Sequence, residues 1–186
     1  MYLEGERVFL RDFRDEDVSP FERYHADERY LRFYAAEAGE PMHARALVKM
    51  FMEAARASPR RDFTLAIVER AGCELIGCCS LRTAGKRPER ADFGLELAPS
   101  WWGRGLAAES ARALLEFGFD SLTLNEVHGE SVSENRRVAR LVAKLGFARM
   151  PDRPGGAWMK ERGWTYAQWR LTKEAWMARL DYLDQA

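Results

Sequence analysis

Between Arg90 and Phe119 the hydrophobic period of this chain changes across a glycine-bearing turn, and that change restricts the fold more than any other feature. Arg90 to Leu97 (RADFGLEL) reads as a strand. Leu106 to Phe119 carries Ala107, Ala111, Leu114, Leu115 and Gly118 at helical spacing. The turn between them is Pro99-Ser100-Trp101-Trp102-Gly103-Arg104-Gly105. Glycines at 103 and 105 let the backbone turn and approach a ligand closely. The unpaired N–H groups and dipole of the helix start face the same point, which makes a pyrophosphate-sized anion site. An ordinary tight turn has the same composition, so other features must decide. Neither a P-loop nor a complete G-x-G-x-x-G fingerprint is present, because Ala108 stands where the third glycine would be. ATP hydrolysis and hydride transfer are thereby disfavoured.

The remainder alternates strands and helices. Arg7 to Phe13 predicts a first strand, and Ser19-Pro20 predicts the N-cap and first position of a helix through Phe21, Tyr24 and Ala26. Ala46, Leu47, Met50, Phe51 and Ala54 predict a second helix after Gly39-Glu40-Pro41, stopped near Ser58-Pro59. Asp62 to Glu69 and Glu74 to Arg82 predict strands, with turns at Ala71-Gly72 and at Gly85 to Pro88. Asn125 to Val132 predicts a strand, Asn135 to Leu145 a helix closed by Gly146, and Phe147 to Met150 a strand. Trp164 to Leu171 predicts the last strand, and Thr172 the cap of a final helix bearing Trp176, Leu180 and Leu183. No repeat or linker interrupts this order, and 186 residues suffice for one α/β domain, 1–186, with a mixed sheet.

Charge and cysteine content exclude other classes. The 29 basic and 29 acidic residues are mixed along the chain, which argues against nucleic acid or an anionic membrane as partner. Cys73, Cys78 and Cys79 match no zinc spacing, and His25, His43 and His128 stand far apart, so no metal site is expected. Cys78 and Cys79, on opposite faces of a strand, read as small packing residues. The start MYLEGERVFLRDF lacks the apolar core of a signal peptide, no stretch suits a membrane span, and a reducing cytoplasm is expected.

Element order and motifs together resemble the GCN5-related N-acetyltransferases, in particular the branch of RimJ and RimL. The resemblance runs from LEGERVFLRDF and Asp15-Glu16-Asp17 through ELIGCCSLR. It is most specific in ADFGLELAPSWWGRGLAAESARALLEFGF and in SVSENRRVARLVAKLGF. It implies a central, mostly antiparallel mixed sheet flanked by helices, with the fourth and fifth strands of the family, here Ala91 to Leu97 and Glu126 to Val132, splayed apart for pantetheine. The family's [QR]-x-x-G-x-[GA] loop falls on Trp102, Gly103, Arg104, Gly105, Leu106 and Ala107, whose backbone would hold the pyrophosphate of acetyl-CoA. Trp102 departs from the usual Gln or Arg, a change expected to alter loop packing and not to abolish the site. The resemblance makes the N–H of Leu97 the donor to the thioester carbonyl. It also puts Asn135 beside pantetheine, at the start of N-x-x-S, where Val138 replaces the Ser and cannot protonate a thiolate. Arg140 is within reach of the adenine end or the 3′-phosphate, or is a solvated helix residue.

Attack by an amine requires a base, and a carboxylate raised in pKa by burial suits. Glu96 is the first candidate, because it ends the central strand on the face opposite Leu95 and Leu97. Glu109 is the second, although a first-turn Glu also complements the helix dipole, and an ordered water would serve with either. Tyr166 is a candidate donor to the leaving thiolate, or a core aromatic beside Trp164. Tyr30, Phe33, Tyr34 and Ala35, with Glu37 and Glu40, border the acceptor pocket in the resemblance and suit a cationic amine. The expected activity is acetyl transfer from acetyl-CoA to a small-molecule or protein N-terminal amine, in a monomer or homodimer. The rival reading is a non-catalytic acyl-CoA-binding or sensory module of the same fold.

Overall fold

The computed structural model describes residues 1–83, 85–87 and 89–184. Pro88 and the side chains of Glu37, Leu180 and Leu183 lie outside the described residues. An eight-stranded sheet has the order β1-β2-β3-β4-β5-β6-β8-β7. The strands are β1 (Tyr2–Glu4), β2 (Val8–Arg11), β3 (Asp62–Glu69), β4 (Leu75–Arg82), β5 (Arg90–Leu97), β6 (Glu126–Val132), β7 (Ala148–Pro154) and β8 (Thr165–Thr172). Every neighbouring pair is antiparallel except β5 and β6, which run parallel and pair only from Arg90 to Asp92 against Glu126 to His128. Beyond Asp92 the two strands separate, and β6 continues on β8 as far as Val132 opposite Tyr166. The expected splay is therefore present, and it leaves backbone groups of β5 without a strand partner on that side.

The helices are α1 (Val18–His25), α2 (Glu28–Leu31), α3 (Pro41–Arg56), α4 (Leu106–Asp120), α5 (Arg136–Lys144), α6 (Ala157–Lys160) and α7 (Lys173–Asp184). On one face of the sheet α4 brings Leu114, Leu115 and Phe119 against Leu65, Ile67 and Leu81, all of them fully buried. Each such side chain contributes about 1.5–3 kcal/mol. On the other face α1 and α3 bring Phe21, Tyr24, Val48 and Phe51 against Ala66, Val68 and Cys78. Cys79 belongs to the first core and Cys78 to the second, as their strand alternation requires.

Several caps follow the sequence directly. Asn135 Oδ1 accepts from Val138 N–H at 3.3 Å, Gly146 closes α5 with φ +90°, and Thr172 Oγ1 accepts from Ala175 N–H at 3.2 Å. Ser19 differs from its expectation. The residue at the start of α1 is Asp17, whose carboxylate accepts from Arg11 Nη1 and Nη2 at 2.7 and 2.8 Å and from Arg14 N–H at 2.8 Å. An ion pair with β2 thus begins the helix earlier than the local Ser-Pro signal. The short elements β1, α2 and α6 were not expected, being too brief to show a period.

Candidate active site

The loop before α4 has the geometry its glycines predict. Gly103 and Gly105 have φ of +79° and +81°, a left-handed conformation that a side chain disfavours. A Cβ on Gly103 would meet nothing within 4 Å. The N–H groups of Gly103, Arg104, Gly105, Leu106 and Ala107 have no acceptor among the described residues, whereas Ala108 and Glu109 already donate to Gly105 C=O. A row of free donors at the positive end of a fifteen-residue helix is an anion cradle. It opens into a cleft of about 320 Å³ lined by Leu97, Trp102, Gly103, Gly105, Leu106, Ala107, Asn135 and Arg140, among others.

The cleft continues into the splay, a cavity of about 360 Å³ between Phe93 to Leu95 on β5 and Gly129 to Val132 on β6. Ala98 N–H donates to Ile76 C=O at 2.8 Å, which sets the alternation of the β4–β5 ladder. Glu96 consequently faces Cys78 with its backbone, while the N–H groups of Leu95 and Leu97 point away from β4 toward the splay. Leu97 C=O points the same way and accepts from Trp102 Nε1 at 2.8 Å. Arg137 stacks on the Trp102 ring at 4.7 Å. Trp102 therefore braces the loop against β5.

Beyond the splay a groove of about 960 Å³ runs along the sheet face beside α1 and α3. Glu96 lines both groove and cleft, and Tyr34 lines all three cavities. The Glu96 carboxylate sits in a ring of donors. Tyr24 donates to Oε1 at 2.7 Å, Tyr30 and Tyr34 donate to Oε2 at 2.8 and 3.3 Å, and Cys78 Sγ lies 3.5 Å from Oε1. His25 Nε2 stands 2.9 Å from Oε1 and 3.2 Å from the Tyr30 hydroxyl. His25 is 3% exposed, packs on Phe21 with centroids 4.1 Å apart, and has no partner for Nδ1 among the described residues.

These contacts reverse one expectation. Burial pushes the Glu96 carboxyl up, but the hydrogen bonds and charge of His25 and the hydroxyls of Tyr24 and Tyr30 outweigh it and hold the pKa below the ordinary carboxylate value. Glu96 is an ionised, hydrogen-bonded anion at neutral pH, not a carboxyl raised toward neutrality. Burial and the Glu96 charge push Tyr30 and Tyr34 up, so both hydroxyls keep their protons. Burial first, and then Glu96, also raises the Cys78 thiol well above its usual range.

Glu109 is elsewhere. Oε1 accepts from Arg7 N–H and Val8 N–H at 2.6 and 3.1 Å, and Oε2 accepts from Arg7 Nε at 2.9 Å. Arg7 Nη1 in turn donates to Arg104 C=O at 2.9 Å. Glu109 thus ties the β1–β2 hairpin to the anion loop and is absent from the lining of the cleft. Its expected role as a second base does not fit, because it lies behind the loop and outside the cleft. The Arg104 side chain likewise leaves the cleft and stacks on Trp101 at 4.6 Å, so only its backbone N–H serves the cradle. Arg140 does line the cleft, with Arg137 one turn earlier on the same helix face, a spacing of three that the Arg136-Arg137 run concealed. Val138 lines cleft and splay, and Tyr166 lines the splay with Arg153 stacked on its ring at 4.3 Å. Tyr24 was missed as a site residue because it fell on the apolar period of α1, and His25 because it was weighed only as a metal ligand.

Comparison with known proteins agrees with this architecture. A family model described as an acetyltransferase (GNAT) domain matches residues 7–148. An uncharacterized N-acetyltransferase, YoaA of Bacillus subtilis (strain 168), is 28% identical over 148 residues, 79% of this chain and 82% of that protein. Among solved structures, Mycobacterium smegmatis RimJ in complex with CoA-disulfide superimposes with a TM-score of 0.76 at 19% identity, over 94% of this chain and 88% of that one. The ribosomal-protein-S5-alanine acetyltransferase from Vibrio fischeri superimposes with a TM-score of 0.75 at 16% identity, over 95% of this chain and 98% of that one.

Proposed function

The chain belongs to the GNAT acetyltransferase family, and on that premise we propose that it transfers acetyl from acetyl-CoA to a primary amine that attacks directly in a ternary complex. The observation that carries this reading is the run of unpaired N–H groups from Gly103 to Ala107 at the mouth of a cleft that ends at the Glu96 carboxylate. The cradle fits a CoA pyrophosphate, since its donors are free and the space over Gly103 is open. Arg137 and Arg140 face the same cleft and supply positive charge for phosphate. Acetyl-CoA, when bound, supplies the activated thioester.

The protein's own groups then divide the work. The Leu97 N–H is the donor for the carbonyl oxygen on which charge develops. Glu96 attracts the acceptor as its ammonium. The free amine attacks once that ammonium has given one proton to water, and Glu96 accepts the second proton, which the nitrogen sheds as the new bond makes it acidic. The donor ring of Tyr24, Tyr30 and His25 holds Glu96 in one position. Val138 cannot protonate a departing thiolate, so that proton is assigned to Tyr166, which lines the splay. Trp102 and Phe33 add apolar surface to the cleft lining.

Isothermal titration with acetyl-CoA, alongside Gly105→Asp, tests the cradle. Micromolar or tighter binding is expected for the native chain. The variant is expected to lose at least about a hundredfold, because a side chain at φ +81° strains the turn that aims the N–H groups, and its Cβ comes 3.3 Å from Arg7 Nη2, the guanidinium that braces the loop. Equal affinity would remove the loop assignment. Thiol release on a panel of primary amines then tests transfer. Tight binding with no thiol release from any of them would favour the non-catalytic acyl-CoA module, the reading that Val138 at the Ser position supports.

A further inference from the structure

On the sheet face that carries Glu96, Gly94 comes next toward the start of β5 and Ser80 and Arg82 stand beside it on β4. All of them line the 960 Å³ groove. A Cβ on Gly94 would come 2.8 Å from Ser80 Oγ and 3.7 Å from Arg82 Nη2, so the Ser80 hydroxyl and the Arg82 guanidinium occupy the space that a side chain at 94 would take. Other cations of this groove are occupied. Lys86 Nζ lies 2.7 Å from Asp92 Oδ2, and Arg90 Nε lies 3.7 Å from Glu126 Oε1. Arg82 has no carboxylate partner among the described residues, although Asp92 stands opposite it in the ladder. The groove therefore presents the Glu96 anion, with its tyrosine hydroxyls, at one position, and the Arg82 guanidinium over Gly94, two residues farther along β5, a backbone spacing of roughly 7 Å.

Building on the acetyl-transfer reading, we propose that Arg82, with the Ser80 hydroxyl beside it over Gly94, forms an anion subsite that selects acceptors carrying a negative group roughly 7 Å from the reacting amine. An acceptor of this kind satisfies both ends at once. Its ammonium meets Glu96, and its carboxylate meets Arg82 in the forked geometry that guanidinium favours. A diamine of equal length puts its second ammonium against Arg82 and is repelled. The same chemistry is offered by a free ω-amino acid and by a peptide whose second residue is acidic.

The test compares kcat/KM for ε-aminocaproate, hexylamine and hexamethylenediamine, and separately for peptides opening Ala-Asp and Ala-Lys, in the native chain and in Arg82→Gln, Arg82→Lys and Arg82→Glu. The native chain is expected to prefer the anionic acceptor over the dication by about fivefold or more. The ratio is expected to fall toward one in Arg82→Gln, to persist in Arg82→Lys and to invert in Arg82→Glu. The small-molecule and peptide arms show which source of the anion the groove takes. A native preference for the diamine, or a ratio that ignores all these substitutions, overturns the subsite. If acetyl-CoA binds but no amine is acetylated, the acetyl-transfer reading fails on its own. Competition of the same amines for the CoA-loaded protein, read by saturation-transfer NMR, then decides the subsite. Preferential binding of ε-aminocaproate that Arg82→Gln abolishes supports it, and indifference refutes it.

Discussion

Replacing Glu96 with Gln keeps the shape of the side chain and removes the charge around which its ring of donors is built. The carboxylate accepts from Tyr24 and faces His25 at Oε1, and accepts from Tyr30 and Tyr34 at Oε2. An amide offers one oxygen, so either pair of donors must face an NH₂ group. The Tyr30 and Tyr34 hydroxyls can turn and accept, which recovers neutral bonds in place of charge-assisted ones. Each such exchange costs about 1 kcal/mol, and relief of the buried charge offsets part of it. The lowered pKa of Glu96 fixes the sign, since folding favours the ionised form despite burial. The expected loss at neutral pH is therefore about 1–3 kcal/mol, or roughly 3–10 °C in Tm for a chain of this size. That contribution is fully present above the unfolded carboxylate value of about 4.3 and disappears as pH falls through the lower folded value. Thermal and urea unfolding of both proteins from pH 3 to 8 measures the gap. A gap of equal size at both ends of that range, or a variant as stable as the native chain at pH 7, would refute a cage organised around a charge. In the same variant turnover is expected to fall roughly 10²- to 10⁴-fold with acetyl-CoA affinity nearly retained. Full activity would return the base role to water.

Substituting Phe for His25 preserves its packing on Phe21 and removes the contact to Glu96. Since His25 helps hold the Glu96 pKa down, the acidic limb of kcat/KM is expected to move to higher pH. A uniform loss of rate with an unmoved limb would mean that His25 only fills space. Glu109→Ala frees the backbone N–H groups of Arg7 and Val8 and releases Arg7 from the anion loop. It is expected to cost roughly 1–2 kcal/mol in unfolding free energy and to weaken acetyl-CoA binding while leaving the pH profile of turnover in place. A displaced profile in that variant would restore Glu109 as a base.

The elements that the sequence determined by itself are those whose signals are local. The turn from β5 through Gly103 and Gly105 into α4 was legible because alternation, glycine and helical period lie within one stretch of chain. The caps at Asn135, Gly146 and Thr172 were legible for the same reason, as their bonds join residues a few positions apart. The side of β5 that carries Glu96 followed from strand alternation. The start of α1 did not, because Asp17 is held by Arg11 from β2 and overrides the nearer Ser19. Tertiary structure also decided which carboxylate stands at the cleft. Glu109 meets partners 101 and 102 positions away and becomes a brace, while Glu96 meets hydroxyls and an imidazole from 62 to 72 positions away and becomes a stabilised anion. A pKa depends on what surrounds a group in space. Burial alone would have raised that of Glu96, and only the packing of α1 and α2 against β5 brought the donors that lower it.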